Sequence, residues 1–244
     1  GDPENAKKLI DTGVTGIAYE TVTSSDGSMP LLAPMSTIAG QLAFIVGSYH
    51  LLKHNKGKGV MIGKMDDIDP RVVTVIGAGV SGTQSILKAI DNNAIVKVVD
   101  SSQSKLDELQ SKYGSNNIEY VLSTQESIQS SINDSDLVIG SVYVVGKEAP
   151  KVVKREMLSS MNPGTVMVDV SIDQGGCFET SKPTTHDNPT FLENDIVHYC
   201  VTNMPGAVPL TATEALNKVT LSYVENLANN GIQNALDSDE HLRN

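Results

Sequence analysis

Gly77, Gly79 and Gly82 punctuate the stretch VTVIGAGVSGTQSI (residues 73–86), just after a β-branched run and just before a helix-forming one. Glycines in this setting serve three purposes. Gly77 permits a tight turn, Gly79 lets a pyrophosphate approach the backbone, and Gly82 lets the helix pack closely on the strand. The helix start adds unpaired N–H groups and partial positive charge, which suit phosphates. Asp100 closes the next strand-like run, AIVKVVD, and no Arg follows it immediately. A carboxylate there accepts hydrogen bonds from ribose hydroxyls and repels a 2′-phosphate, so the pattern favours NAD over NADP. The plainer alternative is a tight turn that holds no ligand.

A second acidic group stands at the same edge. Asp173, in IDQGG, follows the run GTVMVDVS (164–171). Open α/β sheets bind ligands at the carboxyl ends of their strands. Asp173 is therefore a candidate for chemistry, or else a loop carboxylate capping the turn before Gly175-Gly176. The NMPG segment (203–206) follows a later strand at that edge. His198 lies inside an apolar strand and reads as a packed core histidine. His186, in TTHDNP, reads as a turn residue, and His50 and His54 end a helix, where positive charge suits the dipole. Cys177 and Cys200 are too few and too isolated for a disulfide framework or a zinc site. They read as reduced thiols of a cytoplasmic protein, with no metal expected.

The elements that must position these groups alternate strand and helix. Strands are expected at 72–77, 94–100, 117–122, 135–142, 164–171 and 195–203, with helices over SGTQSILKAI, SQSKLDELQSKYG, TQESIQSSI and VVKREMLSSM between them. This rhythm predicts an α/β fold, a doubly wound parallel six-stranded Rossmann sheet in the order 3-2-1-4-5-6. Two flanks belong to a second lobe. Residues 1–30 read as a helix ending near Gly13, a strand TGIAYE and a turn SSDGS; residues 209–230 read as an amphipathic helix with Leu216, Val219, Tyr223 and Leu227 on one face. Another long helix spans 36–53, with Gly40, Ala43 and Gly47 down one side. That stripe serves either packing within the chain or a subunit contact.

The chain has 244 residues and a net charge of −11, with no basic tract and no Trp. This balance argues against nucleic acid or an anionic membrane as a partner. No apolar run is long enough to span a bilayer.

Four stretches are more specific: GVTGIAYETV, MPLLAPMSTIAG, DVSIDQGGCFETSKPTTHDNPTF and NMPGAVPLTAT. Together they resemble the alanine dehydrogenase/transhydrogenase α-subunit family, and alanine dehydrogenase most of all. The resemblance covers essentially the whole chain. It implies an NAD-dependent enzyme that interconverts L-alanine with pyruvate and ammonia, commonly as a hexamer. It implies a remainder of the substrate domain over 1–33, an NAD-binding domain over 34–205 and a C-terminal helix returning to the substrate domain over 206–244. On matching positions it makes Asp173 the catalytic aspartate near the nicotinamide. Ser36, Val80, Ser81, Asp100, Lys105, Ser123, Val142 and Tyr143 match cofactor contacts. So do Val170, Ser171, Ile172, Asp173, Val201, Thr202, Asn203 and Met204. Lys182 stands where some members have Arg. Met35 and Asn203 match the substrate side, and Asp173 is expected beside both. The family's carboxylate-gripping Arg and Lys and its catalytic His lie upstream of the segment matching DPENAKKLI. The chain is therefore expected to lack most of the N-terminal segment and to oxidise alanine poorly by itself. The competing expectation is a catalytically silent NAD-binding or oligomerising protein. GKMDDIDP (63–70) departs from the family, which has a less acidic, glycine-rich turn there.

Overall fold

The computed structural model describes residues 3–144 and 147–243. Its strands are β1 (Val72–Ile76), β2 (Ile95–Asp100), β3 (Ile118–Leu122), β4 (Leu137–Gly140), β5 (Val166–Asp169), β6 (Thr190–Glu193) and β7 (Ile196–Tyr199). They form one sheet in the order β3-β2-β1-β4-β5-β7-β6. Every pairing is parallel except β6 with β7. β1, VVTVI, is almost wholly buried, and β4, β5 and β7 are buried at every position. Continuous apolar runs of this kind suit strands covered on both faces.

The expected six parallel strands are present, with β7 as the sixth, and each is trimmed relative to its sequence span. β6 is an addition to the expectation. Asn194 and Asp195 take φ of 51° and 59°, and this two-residue turn folds β6 back along β7. Asn-Asp is a weaker hairpin signal than Asn-Gly, so TFLE reads as loop in the sequence.

Helices cover the sheet. α3 (Val80–Asp91) buries Gly82, Ser85, Ile86 and Ala89, the i, i+3, i+4, i+7 stripe of an amphipathic helix. In α4 (Gln103–Tyr113) the Ser102 hydroxyl accepts from the Lys105 amide at the start, and Gly114, at φ 72°, stops the helix. α5 (Gln125–Asn133) opens with a reciprocal Thr124–Ser127 capping box. Beneath it lies a core of Ile76, Val99, Ile132, Val138, Met167 and Phe178. Full burial of one such side chain is worth about 1.5–3 kcal/mol.

The expected helix over VVKREMLSSM is corrected. Only Arg155–Ser160 coils, as a 3-10 helix. The Val152 amide donates to the Cys177 carbonyl, and the Glu179 amide donates to the Val153 carbonyl. Those backbone groups are thus committed to a neighbouring segment, and a helix cannot begin before them.

The long helix α2 (Ala33–His50) shows what its small residues do. A Cβ at Gly40 would lie 2.0 Å from the Ser81 carbonyl oxygen, and one at Gly47 would lie 2.5 Å from a Leu137 methyl. Packing within the chain accounts for both.

The chain divides into two compact units, Met35–Ala212 and Gly1–Pro34 with Thr213–Asn244. The first contains the sheet. The second contains α1 (Pro3–Asp11), most of α6 (Pro209–Asn230), α7 (Ile232–Ser238) and α8 (Glu240–Arg243). Its small core is Val22, Leu31, Ala235 and Leu242, with Val219, Tyr223 and Leu227 of α6 against it. TGIAYE is not a strand; Tyr19–Thr21 is a 3-10 turn and the residues before it are irregular and exposed. No described strand runs beside it to complete a ladder, so an extended conformation has no hydrogen-bond partner there.

Candidate active site

Where β1 ends, the chain turns at Gly77, at φ 94°, into α3. A Cβ at Gly77 would lie 2.6 Å from the Ser141 carbonyl oxygen, and one at Gly82 only 1.8 Å from the Gly77 carbonyl oxygen. Strand, loop and helix therefore demand both glycines for their own contact. Gly79 differs. It takes φ −67° and ψ −163°, which any residue adopts, and a Cβ there would meet nothing within 4 Å. Internal packing gives no reason for a glycine at this helix N-cap. A bare backbone beside the free N–H groups of a helix start is what a phosphate needs.

Asp100, at the end of β2, accepts from the Ala78 amide through Oδ2 at 2.7 Å and from the Ser102 amide through Oδ1 at 2.8 Å. It thus braces the glycine loop from the neighbouring strand. Each carboxylate oxygen keeps a further acceptor site for a hydroxyl. Ser123, after β3, donates its amide to the Asp100 carbonyl at 2.9 Å, which places it at the same edge. Lys105 lies in the first turn of α4, where its ammonium pairs with Glu108 at 2.9 Å. Val80 is 49 % exposed at the start of α3, and Ser81 touches α2 at Gly40. Met35 and Ser36, both half-buried, lie in the first turn of α2, one turn before that contact.

The second cluster forms beyond β4 and β5. Val142 accepts from the Ser171 hydroxyl at 2.8 Å, which joins the two strand-end loops, and Tyr143 beside it is exposed. Val170–Gln174 is a 3-10 turn containing Ile172 and Asp173. Asp173 is exposed, and its Oδ2 accepts from the Asn203 amide at 3.4 Å. Asn203 itself takes the left-handed conformation, φ 53°, at the head of the Met204–Ala207 3-10 turn. Val201 and Met204 are buried while Thr202 and Asn203 face solvent. Asp173 and Asn203 thus meet. Lys182 has partners of its own. Its ammonium lies 3.4 Å from Glu193 on β6 and over the Phe191 ring.

The loop bearing Asp173 hangs on a residue that sequence reasoning passed over. Asp169, fully buried at the end of β5, accepts from the amides of Ser171 at 3.0 Å, Cys177 at 2.8 Å and Phe178 at 3.3 Å, and from the Ser181 hydroxyl. Burial pushes its carboxyl above the usual range, while these donors pull it back. Burial and the Asp169 charge hold the Cys177 thiol well above its usual value and push Cys200 up to about 12. Neither thiol is a nucleophile here. His198 is buried, hydrogen bonded to Thr180 at 2.7 Å and stacked on Phe191, and burial lowers its pKa. It is the packed core histidine its apolar strand implies. His186 is closer to the site than its turn motif suggests, with Nε2 3.3 Å from the Asn203 carbonyl oxygen.

A family model described as alanine dehydrogenase/PNT, C-terminal domain, matches residues 43–244. The chain belongs to this family. Alanine dehydrogenase of Halomonas elongata is 48 % identical over 236 residues, covering 97 % of the chain and 63 % of that protein. Its counterpart in Mycobacterium tuberculosis is 45 % identical, covering 96 % and 63 %. A solved L-alanine dehydrogenase superposes with a TM-score of 0.93 at 42 % identity, covering 99 % of this chain and 66 % of that one. The chain thus spans less than two thirds of the length of these alanine dehydrogenase relatives. The alanine dehydrogenase/PNT fold accounts for the six parallel strands seen here. Among the described residues no helix is long and apolar enough to cross a membrane.

Proposed function

We propose that this chain is the cofactor-binding part of an NAD-dependent L-alanine dehydrogenase, which interconverts L-alanine with pyruvate and ammonia. The observation that carries the reading is Gly79: a glycine that neither its dihedral angles nor its neighbours require, at a helix N-terminus, beside a loop braced by Asp100. The residues fit the cofactor. Gly77, Gly79, Val80, Ser81 and Gly82 cradle the pyrophosphate, with Ser36 next to them. Asp100, Lys105 and Ser123 take the adenosine end. Val142, Tyr143, the run Val170–Asp173 and Val201–Met204 take the nicotinamide end, with Met35 and Asn203 toward the substrate. Lys182 belongs to this set through its match to a family Arg. NAD supplies the hydride acceptor when bound. Asp173 would hold water or the substrate amine and would complement positive charge on the substrate. Residues 1–33 and 206–244 belong to the substrate lobe in this reading.

Several copies assemble in the active enzyme, and a cytoplasmic setting fits two buried, unpaired thiols. The Gly40–Gly47 stripe is not the subunit contact, because it is occupied within the chain.

The test has two arms. Calorimetric titration of the native chain should show NADH binding, with NADPH weaker because Asp100 repels the 2′-phosphate. Absence of NADH binding overturns the reading. The chain joined to the part of the Halomonas elongata enzyme that the match leaves uncovered should form NADH from L-alanine, and Asp173→Asn should remove most of its kcat. NADH binding with no turnover in that chimera would favour the silent, NAD-binding alternative.

A further inference from the structure

The Asp173 loop ends in Gly175 and Gly176, with φ of 86° and 80°. Two successive left-handed residues turn both carbonyls toward one side of the loop. Lys151 meets them there. Its ammonium donates to the Gly175 carbonyl and, at 2.6 Å, to the Gly176 carbonyl. None of the described ion pairs includes Lys151. On the other side of the same peptide group, the Cys177 amide donates to Asp169 Oδ2 at 2.8 Å. The Gly176–Cys177 peptide therefore stands between a cation and an anion, with its dipole aligned to both. Charge-assisted hydrogen bonds are about twice as strong as neutral ones.

Lys151 is itself held in place. The Ala149 amide donates to the Gln174 carbonyl at 2.9 Å and the Val152 amide to the Cys177 carbonyl at 2.8 Å, so the backbone on either side of it is laced to the loop. Asp169 also takes the Ser171 amide, two residues before Asp173. The turn carrying Asp173 is thus gripped before and after the aspartate. The cation is contributed by the connection between β4 and β5, far from the loop in sequence.

We propose that Lys151 is a positioning residue: with Asp169 it clamps the Gly176–Cys177 peptide and so sets where Asp173 and the residues before it stand at the nicotinamide end of the cofactor. This inference rests on the cofactor reading above. Lys151 touches neither cofactor nor substrate in it. Removing the ammonium leaves two converging carbonyls without their shared donor, and the turn relaxes. The adenosine end, built on Gly77–Gly82 and Asp100, does not depend on this clamp.

The distinguishing measurement compares two ligands. NADH carries a nicotinamide and ADP-ribose does not. In the native chain both should bind. In Lys151→Met, NADH affinity should fall about tenfold, the scale of a lost charged hydrogen bond, and ADP-ribose affinity should stay within about twofold. The fluorescence change of NADH on binding should shrink in parallel. Lys151→Arg, which keeps a donor cation, should restore most of the NADH affinity. It also decides the matter if Lys151→Met does not fold: the arginine variant must then fold and bind both ligands near native affinity. Equal losses for NADH and ADP-ribose, or no loss of either, would overturn the proposal while leaving the cofactor reading intact. Failure of the native chain to bind NADH at all would instead remove the cofactor reading and this inference with it.

Discussion

The two ends of the candidate site are built by different means. The glycine-loop end is local: Gly77, Gly79 and Gly82 lie within one turn and one helix start, and their brace, Asp100, ends the next strand along the chain. The Asp173 end is assembled from three separate segments. Asp169 gathers the amides of Ser171, Cys177 and Phe178, Lys151 arrives from the connection before β5, and Asn203 comes from beyond β7. The local end depends on steric fit between backbones. The assembled end depends on the charge of a few buried or half-buried side chains. Substitutions should therefore fail in different ways at the two ends.

The largest effect separates two glycines of one loop. Gly82→Ala places a Cβ 1.8 Å from a backbone oxygen that cannot swing aside, so the cost should reach about 3 kcal/mol or more, read as a lower denaturant midpoint. Gly79→Ala meets nothing within 4 Å and should keep the native midpoint while weakening NADH in calorimetry. Equal destabilisation by both would erase the distinction between packing glycine and ligand glycine.

Asp169→Ala comes next. It strands three amides at the assembled end, and each orphaned buried N–H costs about 1–3 kcal/mol. A loss of about 3 kcal/mol in urea unfolding is expected. A loss under about 1 kcal/mol would mean the loop finds other partners and is not hung on Asp169.

Asp100→Ala tests the local end by function. NADH binding should weaken by about 1.5–3 kcal/mol, the range for a hydrogen bond to a charged group. Unchanged affinity in calorimetry would confine Asp100 to bracing the Ala78 and Ser102 amides.

The smallest effect is a pH dependence. Burial lowers the pKa of His198 and of His50 below the usual histidine value of 6.5. The unfolded chain then binds protons that the folded chain does not, so stability is lost as pH falls below about 6.5. The thermal midpoint should decline over that interval, and His198→Gln should reduce the slope. A flat midpoint between neutrality and pH 5 would show that neither histidine is held neutral by the fold.

Much of the architecture was legible in the residues because its signals are short-range. A β-branched run, a glycine triplet, the Ser102 cap and the Gly114 stop each act over a few positions, so β1, α3, β2 and α4 follow from local preference. The same holds for Gly77 and Gly82, whose spacing states the turn and the close packing that their neighbours impose. Misreadings fall where the presence or absence of a pairing segment decides the backbone. Val152 and Val153 lose their helix to the Cys177–Glu179 segment, and TGIAYE lacks a neighbouring strand. β6 appears because the Asn194–Asp195 turn lays it against β7.

The sequence by itself determined the alternation of strand and helix, the strand order expected of it, and a glycine turn into α3 with an acidic residue ending the next strand, because hydrophobic period and turn chemistry are properties of neighbouring residues. Only the tertiary structure decided that Gly40 and Gly47 are internal packing residues, that His186 approaches Asn203, and that Lys151 and Asp169 grip one peptide of the Asp173 loop. Those contacts join residues from separate segments of the chain. No local pattern encodes them, since a lysine in a polar connection and an aspartate ending a strand look ordinary until the sheet brings their charges to opposite sides of the same peptide.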